Sequence, residues 1–493
     1  MVRHTVDGTV WIFLCEALAL PTGFLIVVFL TRRFGPDGYG LYTLAAVLIG
    51  WIEAFVRSLF HYTTIKLVSE AKDWKPVAAG LTQMHLLTGC LLACVLFGLA
   101  TPIATLMGEP VLTDYLRLFV LDLPIFALVL AHKSILVALG EFRQRAVTSG
   151  ARFMARFILI ALLVELGFSI PGAIWGNIGA TLAELAICRY YVRPPFLNRA
   201  LLPIRRLLRY SAPLSACGMV LQVFGRMDLI VLTAMGGTAA LAGVYAAAQN
   251  LSTIPPGILA ISFSPLLLAT LSRLLIAGQE LPAKRMSLHA LRAVVALLPF
   301  AAMVSGASGE ITVLVYGTAY ASASQLLGVL VFGALALVSV SVTGAILTAG
   351  GKPAWLLLVV GPLLPLAAVG YLVFIPQFGA LGAALATTLG ALGGALMGVL
   401  AVHRLWGLLP PSATLFRSLL VSGAAFALAS GWPTSGMLLA VKLVVVVLMI
   451  IFFYWLLGEI TTAELARLAG LLRREQQPGS EPGIASEISG DRG

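Results

Sequence analysis

Charge is scarce in this chain. Asp, Glu, Lys and Arg make up 11% of its 493 residues, against 60% apolar ones, and no polar stretch is long enough to build a soluble domain. An ordinary globular protein, with about a quarter of its residues charged, is thereby excluded. Cysteine is sparse as well, and Cys15, Cys90, Cys94, Cys188 and Cys217 all fall in apolar segments. Cys90 and Cys94 are one helical turn apart, but no His or Cys cluster accompanies them, so neither a disulfide nor a metal site is expected. A Gly-rich phosphate loop followed by Lys and Ser or Thr is missing too, and no nucleotide site or other cofactor is expected.

What is present is hydrophobic sequence almost end to end. Fourteen segments are long enough to cross a bilayer: 9–31, 39–62, 77–100, 115–138, 150–168, 170–191, 211–235, 241–271, 287–308, 325–348, 353–375, 378–402, 415–431 and 436–457. The apolar run from Trp11 to Thr31 is too long for the core of a cleaved signal, and the chain is read as an all-α, multi-pass membrane protein. Its formal charge of +11 is one-sided. With the N-terminus placed inside, the inner loops carry Lys66, Lys72, Lys75, Arg143, Arg145, Arg152, Arg189, Arg193, Arg199, Arg205, Arg206, Arg209, Arg273, Lys284, Arg285, Lys352, Arg404 and Arg417 and the tail Arg467, Arg473 and Arg474, whereas the outer loops carry Arg32 and Arg33. That asymmetry places both termini in the cytoplasm and accounts for the charge without nucleic acid. The segment from Val192 to Tyr210, rich in Arg and Leu, is expected to lie as an amphipathic helix on the inner leaflet. Beyond the last span, Thr461 and Glu464 form a capping box before an apolar stripe, and the chain from Gln476 has a disordered composition.

An internal repeat crosses this division. Ile170-Pro171, followed by Gly176 and Ala180, returns as Ile375-Pro376, followed by Gly382 and Ala386, displaced by 205 residues at the proline and 206 at the glycine. Gly40-Leu41-Tyr42 returns as Gly243-Val244-Tyr245, displaced by 203. An even number of spans separates the copies, which predicts parallel halves related by an axis along the membrane normal. The expected organisation is a six-helix lobe at 1–191, a linker at 192–210, a second six-helix lobe at 211–402 around a central cavity, two extra helices at 403–457, and a cytoplasmic tail at 458–493.

Phe34-Gly35-Pro36-Asp37-Gly38-Tyr39-Gly40-Leu41-Tyr42 resembles the signature loop of bacterial oligosaccharide and polysaccharide flippases, in the superfamily that also holds multidrug/toxin extruders and lipid II flippases. Arg226, Asp228, Val315-Tyr316-Gly317, Tyr320, Ala349-Gly350-Gly351-Lys352 and Ile375-Pro376-Gln377-Phe378-Gly379 continue the likeness in order and spacing. The resemblance implies a flippase that moves a polyprenyl-diphosphate-linked oligosaccharide to the outer leaflet for exopolysaccharide, O-antigen or capsule synthesis. It also implies contact with membrane lipids and polysaccharide assembly machinery, with Na+ or H+ as candidate coupling ions. The alternatives are an ion-coupled multidrug exporter and a membrane-embedded glycan polymerase.

Charges deep in hydrocarbon are costly and normally face a polar path or a paired interior. Glu16, Glu53, Arg57, Glu184, Arg226 and Asp228 are therefore the candidate substrate-binding residues. Glu53 and Arg57 are spaced to pair on one face of a helix, leaving Arg57 to reach an anion; Arg226 and Asp228 point apart and each needs another partner. Lys133, Arg156, Arg117 and Lys442 are nearer span ends and are expected to snorkel. Gly382, Ala386, Gly390, Gly394 and Gly398 form a smooth stripe for helix packing. Pro21, Pro255, Pro256, Pro265, Pro362 and Pro365 are candidate bends.

Overall fold

A computed structural model describes residues 15, 18–194 and 204–459. Glu16, the capping box and the tail beyond Glu459 lie outside these residues. Helices account for all the regular structure described, as hydrocarbon demands of a backbone that must pair its own N–H and C=O groups. Ten stretches are long and apolar enough to cross a membrane. Two of them double back. Ala19–Glu70 passes through Gly35, whose φ of 66° and ψ of −175° are not helical, and Phe142–Tyr191 contains a π turn at Val164–Phe168 with Gly167 at a φ of 93°. A straight helix of the first length would measure about 78 Å, far beyond a hydrocarbon core of about 30 Å. In the second, Gly172 packs against Leu163, Gly176 against Ile160 and Gly179 against Leu159, the order of an antiparallel hairpin.

Spans 1 and 2 thus meet at Gly35, and spans 5 and 6 are Phe142–Leu163 and Ser169–Tyr191. Span 3 is Trp74–Leu106, span 7 Ile204–Ala234, span 8 Ala239–Ile276, span 10 Ala323–Ala349 and span 12 Ala380–Trp406. Three spans are broken: span 4 into Leu112–Phe119 and Asp122–Ala138, span 9 into Glu280–Val295 and Leu298–Gly306, and span 11 into Pro353–Val360 and Leu363–Phe378. The break in span 11 falls at Pro362, one of the expected bends, whereas span 8 runs helical through Pro255, Pro256 and Pro265. Spans 13 and 14 are Ser412–Gly431 and Leu438–Leu456, so the described chain makes the fourteen passes read from sequence. Span 7 begins at Ile204, so the end of the expected amphipathic segment is continuous with a span.

Spans 2 and 8 cross where side chains vanish. A methyl group on Gly40 would sit 1.8 Å from the Ala239 carbonyl oxygen, and one on Gly243 would sit 2.0 Å from that of Pro36. Pro36 and Gly40 are each displaced by 203 residues from Ala239 and Gly243, so the contact is self-complementary, as across a two-fold axis. In span 12 the stripe packs as expected: Gly382 meets the backbone of Phe374, Gly394 meets Leu363, and Gly398 meets Thr343.

Ion pairs fasten the last two spans. Lys442 is fully buried and its Nζ lies 2.7 Å from Glu310 Oε1, which corrects the expectation that it snorkels. At the other end Glu459, 3% exposed, accepts from Arg292 at 2.5 Å, Thr414 at 2.7 Å and Arg417 at 2.9 Å. Burial alone would raise the Glu459 pKa, but the hydrogen bonds from Arg292, Thr414 and Arg417 outweigh it and hold the carboxyl below its ordinary range.

Candidate functional site: two buried polar clusters

The first cluster is built on spans 7, 8, 11 and 12. Asp228 is fully buried, and its carboxylate accepts from Tyr245 Oη at 2.7 Å, Thr387 Oγ1 at 3.0 Å, the Leu229 N–H at 2.8 Å and Gln249 Nε2 at 2.9 Å. Tyr371 Oη lies 3.0 Å from Thr387 Oγ1 and closes the shell. A carboxylate so saturated has no lone pair to spare for a ligand. Asp228 is thus placed beside the predicted site and not open to it. Gln249 then turns its other end outward: its Oε1 accepts from Arg226 Nη1 at 2.7 Å, and Asn250 Oδ1 accepts from Arg226 Nη2 at 2.8 Å. Arg226 is half-buried, and its guanidinium bonds the neutral amides of Gln249 and Asn250, while Asp228 acts on it from a distance without a direct ion pair. Asn250 Nδ2 in turn donates to Tyr39 Oη on span 2 at 2.8 Å.

The second cluster lies among spans 2, 4, 5 and 6. Glu184, predicted as a substrate contact, is fully buried between Lys133 at 2.9 Å and Arg152 at 3.4 Å. Lys133 therefore faces the interior and does not snorkel, because the buried carboxylate supplies a nearer partner than the interface. Asp122, also fully buried, accepts from Asn177 Nδ2 at 2.9 Å. Asp122 is within Coulombic reach of Glu53, Arg152 and Arg156, and Arg156 of Glu53. Arg156 likewise belongs to the interior, with an Nε that is inaccessible and has no recorded partner. Arg117 does behave as a span-end residue, exposed and stacked on Phe97 at 5.1 Å.

The expected ion pair between Glu53 and Arg57 does not form. Arg57 is exposed and stands over the Phe126 ring, its Cζ 5.5 Å from the centroid, with Arg152 at 5.9 Å from the same ring. Phe126 is buried and offers a π face, which attracts a guanidinium without neutralising it. Arg57, Lys133, Arg152 and Arg156 thus gather against Glu53, Asp122 and Glu184, an excess of positive charge. Sequence reasoning missed Asp122, Arg152, Gln249 and Asn250. The adjacent amides of Gln249-Asn250 in an apolar span were a usable signal, since such groups need partners in lipid.

An apolar cavity of about 370 Å³ lies between span 1 and spans 8 to 10, and Leu251 in its wall directly follows Asn250 in the chain. Its walls include Pro21, Phe24, Leu251, Ile254, Val304 and Leu327.

Residues 5–275 match the family model described as polysaccharide biosynthesis protein. The chain belongs to that family. No curated protein shows significant sequence similarity to this family member. Among solved structures its fold is similar to the lipid II flippase MurJ in an inward closed conformation, at a TM-score of 0.72 and 16% identity, covering 94% of this chain and 100% of the other. A multidrug resistance transporter of the MATE family, of the MOP superfamily, in an inward-facing conformation gives 0.62 and 14%, covering 83% and 95%. A MOP superfamily transporter from Pyrococcus furiosus, described by the reverse polarity of its binding pocket, gives 0.56 and 15%, covering 82% and 95%. The likeness carries the expectation of a membrane transporter fold.

Proposed function

We propose that this member of the polysaccharide biosynthesis family is a flippase for a polyprenyl-diphosphate-linked oligosaccharide. The observation that carries the reading is Arg226, a cation held by neutral amides, one of which, Asn250, directly precedes Leu251 in the wall of an apolar cavity. Charge and hydrocarbon recognition are thus adjacent, as an amphiphilic diphosphate lipid requires. Arg57, over Phe126 in the other cluster, supplies a second cation. In this reading Arg226 and Arg57 contact the diphosphate, Asp228 and Glu184 hold the surrounding basic groups in place, and the lipid tail remains in the apolar recess and bilayer. Glu53 offsets the positive charge of its cluster.

An exporter of organic cations would need accessible carboxylates, but Asp228 is saturated by donors and Glu184 is neutralised by two cations. Moving roughly two negative charges outward, down an inside-negative potential, releases about 4 to 5 kcal/mol per 100 mV, so the potential itself can drive the step. Both termini are proposed to be cytoplasmic, in the bacterial inner membrane, and passes 1–6 and 7–12 to be the two lobes; the reciprocal Gly40 and Gly243 contact supports that division.

The test is complementation of a strain lacking its polysaccharide flippase. Arg226→Ala and Arg57→Ala should reach the membrane in normal amounts yet fail to restore glycan export. Restoration by both variants would make these arginines structural and refute the anion site.

A further inference from the structure

Hydrogen bonds between passes 1–6 and passes 7–12 gather at the ends joined by the 1–2, 3–4, 7–8 and 9–10 loops. Arg32 donates to the carbonyls of Leu314 at 2.7 Å and Val315 at 3.0 Å, Tyr320 Oη donates to Thr31 O at 3.4 Å, and the Ala239 N–H donates to Glu109 Oε1 at 2.7 Å. Below this layer, among the described residues, lies one deeper bond, Asn250 Nδ2 to Tyr39 Oη, with Asn250 about 16 Å along span 8 from its first residue. Asn250 is also the residue whose carbonyl holds Arg226.

We propose that Asn250 is a latch that ties occupancy of Arg226 to this seal. Its amide has two ends with opposite partners. Oδ1 accepts from the guanidinium of Arg226, and Nδ2 donates across to Tyr39, so each contact fixes the orientation that the other needs. Gln249 steadies the arrangement from the opposite side, since its Nε2 is anchored on Asp228 and on the Gly225 carbonyl at 3.0 Å while its Oε1 holds Arg226. Asp228 is accordingly a positioning residue, acting on Arg226 through Gln249. A diphosphate oxygen is a stronger acceptor for a guanidinium than an amide carbonyl is. An anion that reaches Arg226 draws it away from Asn250, frees the amide to rotate, and removes the deepest bond of the seal. Opening is thereby conditional on cargo. The inference rests on the reading of Arg226 as an anion contact.

The experiment uses full-length protein in nanodiscs, with the native cysteines replaced and spin labels at Asp37→Cys and Ala319→Cys, on either side of the seal. Undecaprenyl diphosphate is the probe, and its binding is followed separately by titration. Asn250→Ala and Tyr39→Phe each remove the one neutral hydrogen bond that crosses the seal at this depth, Asn250→Ala giving up the contact with Arg226 as well, and each should raise the ratio of long to short label distances about fivefold without the probe. In the unmodified latch the probe should produce the same lengthening. Asn250→Asp can accept from both Arg226 and Tyr39, and should keep the short distance even with the probe present. Distances unchanged in both Asn250→Ala and Tyr39→Phe overturn the latch. Probe binding without lengthening overturns its coupling to cargo while leaving the diphosphate reading intact. Lengthening in the variants with no probe binding upholds the seal, and refutes both the diphosphate reading and the cargo trigger.

Discussion

Arg226 and Arg57 are both basic residues within apolar spans, but they are held differently. Amide oxygens fix the orientation of Arg226, whereas Arg57 rests on an aromatic face and is exposed. Arg57→Lys should therefore retain part of the transport activity, since a point charge survives, whereas Arg226→Lys should lose more because it cannot reach both amides in a fork. Glu in either place should be worse than Ala, as repulsion is added to lost attraction; export in a flippase-null strain ranks the series. Lys442 presents the opposite case, a fully buried cation with Glu310 as its partner. Glu310→Ala strands that charge and should cost about 3–5 kcal/mol in thermal or denaturant unfolding, while the double replacement Glu310→Leu with Lys442→Met should recover most of it.

At the scale of elements, close backbone approach and charge pairing do different work. Spans 2 and 8 touch through Gly40 and Gly243, where a methyl group would meet backbone oxygen and not a movable side chain. Gly243→Ala should destabilise the sealed arrangement by at least the 1–3 kcal/mol typical of overpacking, roughly, seen as a lower melting temperature of the purified protein. Spans 13 and 14 depend instead on Glu459. Its folded pKa lies below the ordinary carboxyl value because its hydrogen bonds favour the charged form. The stability it contributes is fully present above the unfolded Glu pKa of about 4.3 and is lost as pH falls through the lower folded value. Melting temperatures measured on descending pH should drop across that acidic window, and Glu459→Gln should flatten the drop by removing the titration.

For the whole molecule, the two-lobe proposal makes a topological demand. Reporter fusions after Gly236 and after Ser308 should read outside, and fusions within 193–209 should read inside. Passes 1–6 should superpose on passes 7–12 with Gly40 over Gly243 and Pro171 over Pro376, without inversion in the membrane plane. An experimental structure whose halves match only after inversion would remove the parallel-repeat model.

The span count, the helical class and the presence of intramembrane charge were all legible in the sequence. Each depends on local composition or on spacing along one helix: an apolar run must bury its backbone polarity in helix, and a repeated Gly marks a place where helices can touch. Partner choice was not legible, because it is settled between helices distant in sequence. Glu53 and Arg57 had the right spacing to pair, yet Arg57 lies over Phe126 and Arg152 from another span pairs with Glu184. Arg226 and Asp228 are neighbours in sequence, and the tertiary structure gave the first a neutral cradle and the second a closed shell of donors. Sequence therefore determined that charges would be buried; packing decided which of them met a counter-charge directly, since only the folded arrangement fixes which side chain arrives first at each.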